Sequence, residues 1–226
     1  MKTLICIIAL VSLVVTGLFA QTEKQSVALA GNKNLQAVNV KFSEANYQGV
    51  ESIKGMDIGE NSEVKFVKIN DLDFKDGVIE IEIAGRPVEG AFQGARGFVG
   101  IAFRINEDNS KFECFYLRPT NGRADDQVRR NHSAQYISFP GYPWYKLRKE
   151  TPEKYEAYVD LVPGEWTKVK IEVKGDKARL YVHGNEQPTL IVNDLKLGPD
   201  ASGKIGLWIG PGTEAYFANL KIIQPE

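Results

Sequence analysis

Short apolar runs recur along most of this chain, and where they alternate with polar residues the period is two. Residues 78–84 read V-I-E-I-E-I-A, with Ile79, Ile81 and Ile83 on one face and Glu80 and Glu82 on the other. That is the pattern of a strand with one dry and one wet face. Val169, Ile171 and Val173 alternate with Lys170 and Glu172. Ala178, Leu180 and Val182 alternate with Arg179 and Tyr181, and Ile205, Leu207 and Ile209 with Gly206 and Trp208. Turn signals separate these runs, at Gly175-Asp176, Gly184-Asn185, Gly198-Pro199 and Gly210-Pro211. No amphipathic helix of ten or more residues stands out. The pattern predicts an all-β chain, a two-sheet antiparallel jelly-roll sandwich, over residues 35–226.

Two runs depart from simple alternation. Residues 98–105 carry Val99, Ile101, Phe103 and Ile105 on one face, and Phe98, Gly100, Ala102 and Arg104 on the other. Residues 111–118 group Phe112, Cys114, Tyr116 and Arg118 against Glu113, Phe115 and Leu117. Both are apolar on both sides until their ends, as expected of central strands whose second face is also covered. Gly100 and Ala102 leave room there for a loop or a ligand. The covering piece is expected in residues 119–160, which show no clean strand pattern over most of their length and are rich in Tyr, Trp and Arg.

Parity places Arg104 and Arg118 on the covered face of adjacent strands, pointing away from the core, with Tyr116 between them. The covering segment adds Asn121, Arg129, His132, Tyr136, Trp144 and Tyr145. Aromatic faces suit the C–H surfaces of sugars, and planar polar groups suit their hydroxyls, so these residues form a candidate ligand-binding surface for a carbohydrate. Nearby groups able to transfer protons are His132, Glu113, Asp125 and Asp126. Whether such a surface cleaves or only binds is left open by the sequence.

The first twenty residues form a separate unit. A short positive start, Met1-Lys2-Thr3, precedes an apolar run to Ala20, the architecture of a secretory signal peptide. An uncleaved anchor is the alternative, since the run is near the lower limit for a span. Residues 21–34 are polar and read as a flexible leader. The expected product is secreted or periplasmic, without a membrane span once the signal is removed. A single cysteine, Cys114, then remains, in an apolar stretch that predicts a buried thiol. The 226 residues are 43% hydrophobic and 25% charged with net charge −1, ordinary globular values with no basic field to attract nucleic acid.

The C-terminal third carries Gly164-Glu-Trp166 before T-K-V-K-I-E-V, then residues 178–184, A-R-L-Y-V-H-G. G-K-I-G-L follows at 203–207 and A-Y-F-A-N-L-K-I at 215–222. These segments resemble the concanavalin A-like lectin/glucanase superfamily, in its laminin-G-like and 3-keto-disaccharide hydrolase-like branches. The resemblance implies a jelly roll and a carbohydrate ligand. Its alternatives are a glycoside hydrolase like the 3-keto-disaccharide hydrolases and a laminin-G-like adhesion module. The motifs are structural, so they speak to fold more than to activity. Glu80 and Glu82 invite comparison with the catalytic acids of jelly-roll glucanases, but no third acid follows. No cofactor is expected, although the resemblance allows a structural calcium at Asp71, Asp73 and Asp76. Trp166, out of phase with the strand it opens, is expected in the core through a bulge.

Overall fold

The computed structural model describes residues 22–59 and 62–225, with the side chains of residues 22–24 left out; the expected signal peptide lies outside them. Among the described residues fifteen strands form two antiparallel sheets. The first sheet runs β13 (Leu190–Val192), β12 (Lys177–Val182), β11 (Thr167–Lys174), β6 (Gly77–Pro87), β15 (Thr213–Pro225), β4 (Val50–Asp57) and β3 (Val40–Tyr47), with β1 (Thr22–Ser26) also on β15. The second runs β10 (Glu156–Ala157), β9 (Ala134–Phe139), β8 (Phe112–Leu117), β7 (Val99–Ile105), β14 (Gly203–Ile209), β5 (Phe66–Phe74) and β2 (Leu35–Val38). Two short helices, α1 (Gln127–Asn131) and α2 (Trp144–Glu150), lie in the segment between β8 and β10.

The core lies where alternation put it. Ile79, Ile81 and Ile83 of β6 pair directly with Ile171, Val169 and Thr167 of β11. Val169, Ile171 and Leu180 on the first sheet, and Ile101, Phe103, Ile205 and Leu207 on the second, are all buried. Period-two rows from two sheets thus interdigitate as a sandwich core.

Several expectations are corrected. Thr22–Ser26, read as part of a flexible leader, pair with residues 221–225 of β15. Residues 119–160, which show no clean strand pattern over most of their length, contribute β9 and β10, which extend the second sheet beyond β8. Their pattern is hidden because β9, A-Q-Y-I-S-F, is buried on both faces at Ala134–Ile137 and Ser138. Trp166 is half-buried, not in the core; it meets the Tyr47 ring edge-on at 5.7 Å and donates from Nε1 to Tyr47 O at 3.3 Å. No bulge re-aims it, so strict parity leaves it on the outer face opposite Val169. Cys114 is a buried free thiol, and burial pushes its pKa well up.

Candidate functional site

The face of the second sheet turned away from the core carries a cleft of about 820 Å³. Its floor follows from register. Tyr116 of β8 stands opposite Gly100 of β7 and Gln135 of β9, and Gly100 stands opposite Trp208 of β14. A Cβ on Gly100 would fall 2.2 Å from Phe115 O and 2.5 Å from Tyr116 Cβ, so only glycine lets the strands and this ring approach so closely. The space that the small residues leave is therefore filled from within the sheet. The Tyr116 and Trp208 rings meet over it with centroids 4.7 Å apart.

One wall comes from the segment that follows β8. Arg118 crosses the floor and is nearly all used. Nη2 donates to Tyr116 Oη at 2.7 Å and to Gln135 Oε1 at 3.0 Å; Nη1 donates to His132 O at 2.9 Å. Its Nη1 also lies 3.4 Å from Glu156 Oε1. The short strand β10 brings Glu156 beside Gln135, on the cleft face. There the carboxylate also accepts from Arg148 of α2, through Nε at 2.9 Å and through Nη2. Trp144, at the start of the same helix, lies under both cations: the Arg148 and Arg118 guanidinium carbons stand 4.7 and 5.9 Å from its ring centroid. Such stacking fixes planar groups in one orientation.

His132 follows α1, whose N-cap Asp126 accepts from Arg129 N at 2.9 Å. The imidazole Nδ1 lies 3.0 Å from Glu156 Oε2. Burial lowers the His132 pKa; Glu156 works against this, and the charges of Arg148 and Arg118 add to the lowering. The lowered pKa favours the neutral ring at pH 7, with Nδ1 beside the Glu156 carboxylate. Burial raises the Tyr116 phenol well above its usual range, so it stays protonated.

At the far end Lys65 Nζ pairs with Asp57 Oδ1 at 2.6 Å, and Asp57 Oδ2 accepts from Gly212 N at 2.8 Å. Burial alone would raise the Asp57 pKa, but the Lys65 and backbone hydrogen bonds hold it below the usual carboxylate range. Phe92, Phe98 and Arg96, from the connection between β6 and β7, complete the rim.

Six of the nine residues singled out from sequence line this cleft: Tyr116, Arg118, Asn121, Arg129, His132 and Trp144. Three do not. Arg104 is fully buried elsewhere, donating to the carbonyls of Lys75, Gly175 and Gly198 at 2.8–3.0 Å and to Asp76 at 3.1 Å. Its backbone φ is +55°, and the β7–β14 register slips beside it, so a bulge breaks the parity that had put it with Arg118. Tyr136 pairs with Phe115 on the core face, where it donates to Glu113 Oε2 and accepts from Lys196 N at 2.9 Å. Tyr145 is exposed and meets only the edge of Trp144.

Of the proton-transfer candidates, Glu113 is also on the core face, accepting from Leu197 N at 2.8 Å, and neither Asp125 nor Asp126 lines the cleft. The acids read as a calcium site go to separate partners, Asp71 to Asn34, Asp73 to Lys204 and Asp76 to Arg104. Among the described residues no group of three or more His, Cys, Asp or Glu is placed to hold a metal. Glu156, Arg148, Gln135, Arg96 and Trp208 were missed. Trp208 alternates visibly with the core row of β14 and could have been found by parity; Glu156 sits in a two-residue strand that leaves no periodic trace.

The chain matches the family model of the 3-keto-alpha-glucoside-1,2-lyase-like domain over residues 40–223. No curated protein matches it. Among solved structures it resembles the carbohydrate-binding module CBM66 from Bacillus subtilis, with 17% identity, TM-score 0.55, and coverage of 84% of this chain and 95% of that one. A candidate glycosyl hydrolase from Parabacteroides distasonis is similar at 13% identity and TM-score 0.51, covering 85% of this chain and 89% of that one. At these identities the likeness is one of fold.

Proposed function

The chain belongs to the 3-keto-alpha-glucoside-1,2-lyase-like domain family, and from that premise we propose that it is an exported sugar-binding jelly roll whose cleft takes a glycan against Trp144, Tyr116 and Trp208. The observation that carries this reading is the pairing of ring faces with fixed planar donors in one cleft, Trp144 beneath Arg118 and Arg148 above all. A sugar presents both a C–H face and a ring of hydroxyls, and such a cleft answers both. A carbohydrate-binding module and a candidate glycosyl hydrolase with the same fold support sugar as the ligand class. The charged start and apolar run of residues 1–20 support export.

The test is a screen of the purified protein against a glycan panel, repeated with Trp144→Ala. Wild type is expected to bind at least one member, and the variant to bind it about tenfold more weakly, the loss of one stacked ring. Failure to bind any member, or full affinity in the variant, would overturn the reading.

One observation favours a second reading, catalysis: a neutral His132 beside Glu156 in the cleft. The family name specifies elimination across C1 and C2 of a 3-keto-α-glucoside. A base takes the C2 proton, acidified by the neighbouring ketone. The C–H pair becomes the C1–C2 double bond, and the C1–O bond breaks toward the leaving oxygen, which takes up a proton. His132 Nε2 is the group for the first transfer, with Glu156 stabilising the imidazolium that forms. Release of the leaving alcohol from a 3-keto-α-glucoside by wild type, abolished in His132→Gln, supports this reading; no release by wild type removes it.

A further inference from the structure

Four guanidiniums border the cleft, those of Arg96, Arg118, Arg129 and Arg148. Glu156 answers Arg118 and Arg148, and Asp57 answers Lys65. Arg96 and Arg129 have no ion-pair partner among the described residues. Arg96 is not a loose surface side chain. It is half-buried, and its Nη1 donates to Gln93 O at 2.6 Å and to Ala95 O at 3.0 Å. Burial lowers its pKa, and the charges of Arg129 and Arg118 lower it further, so these cations share one field. Like charges held together in a partly desolvated cleft are unfavourable until an anion joins them.

Two buried polar atoms without partners belong to residues that line the same cleft. Trp208 and Asn121 both line the cleft and are only 5% and 4% exposed. The Trp208 Nε1–H and the Asn121 Oδ1 find no hydrogen-bond partner among the described residues. Buried polar atoms are rarely left so, and an indole N–H can only donate; both atoms are themselves closed off from solvent, so the anion is argued from the arginines.

We propose that the cleft selects an acidic sugar, whose carboxylate or sulfate sits against Arg96 and Arg129 while its ring lies on Trp144. The inference rests on the sugar-binding reading and adds the charge of the ligand. The bidentate geometry of guanidinium suits either oxyanion, and carboxylate and sulfate are separated by the choice of probe.

Titration calorimetry with matched probes tests it: an oligogalacturonate against the neutral galacto-oligosaccharide of the same length and linkage, and a sulfated against an unsulfated galactan fragment. One acidic probe is expected to bind about tenfold tighter than its neutral partner at low salt, with the preference shrinking as salt rises. In Arg96→Gln and in Arg129→Gln the acidic-to-neutral affinity ratio should fall toward one. Arg179→Gln, the same charge change on the outer face of β12, should leave the ratio intact. Arg96→Lys should keep most of it, and thermal melts establish that each variant is folded. Neutral probes that bind as tightly as acidic ones, through a site sensitive to Trp144→Ala, overturn the inference and leave sugar binding standing. Absence of binding by every acidic probe while some neutral member of the glycan panel binds overturns the inference alone; absence of binding across the panel and these probes overturns both.

Discussion

Glu156 holds the cleft together at the scale of single side chains. Its carboxylate takes hydrogen bonds from Arg148, lies 3.4 Å from Arg118 Nη1, and faces His132 Nδ1 at 3.0 Å. Burial first, and then the charges of Arg148 and Arg118, hold the His132 pKa down despite that carboxylate. A histidine whose folded pKa lies below its unfolded value of about 6.5 binds protons more readily when unfolded. Its contribution to stability is therefore present above pH 6.5 and is lost as pH falls through the folded value. Chemical denaturation of wild type should show a midpoint that declines as pH drops below 6.5, and His132→Gln should flatten that decline. An unchanged slope in the variant would contradict the assigned ionisation. None of this was legible residue by residue. His132 stood out as one of two histidines, but its partner Glu156 was one acid among many, lacking any pattern to mark it.

At the scale of elements, the sheet edges and bulges decide which side chains meet. Alternation identified most strands because each has one core row, and it located Ile101, Leu180 and Leu207 without ambiguity. It failed where the backbone leaves the simple pleat. The bulge at Arg104 turns that side chain into the end of the sandwich, where it binds carbonyls after β5, after β11 and before β14. Arg104 is thus a tie between turns of both sheets, not a ligand group. Arg104→Ala would strand three carbonyls and take the cation from Asp76, which keeps only its bond from Gly175 N, and removal of one member of a buried charged network costs roughly 3–5 kcal/mol. Urea unfolding should register that loss, while glycan affinity of the folded variant stays at the wild-type value. A variant of full stability with weakened binding would return Arg104 to the site. Tyr136 misled for a related reason: β9 is buried on both faces and mixes polar Gln135 and Ser138 into them, so its strand parity was not recognised and its side chain was assigned to the wrong surface.

Across the whole molecule, the two sheets divide the work. The first is long and closes on β15, which pairs with β6, β4 and β1. The second bears the cleft on its outer face, floored by β7, β8 and β14 and walled by the segment holding α1 and α2. Fold was readable because strands such as β6, β11 and β12 repeat the same physical rule, burial of one row of apolar side chains. The cleft was readable only in part, because its charged residues come from loops, strand ends, a two-residue strand and short helices that obey no common period. The central claim is that this cleft, with Trp144 as its platform, is where a glycan binds. The most direct test is a crystal structure with the tightest-binding oligosaccharide from the panel. The account predicts a sugar ring on Trp144 with hydroxyls or an acidic group within hydrogen-bond reach of the cleft arginines. A sugar seated instead on the outer face of the first sheet, near Lys168 and Tyr181, with the cleft unchanged, would contradict it.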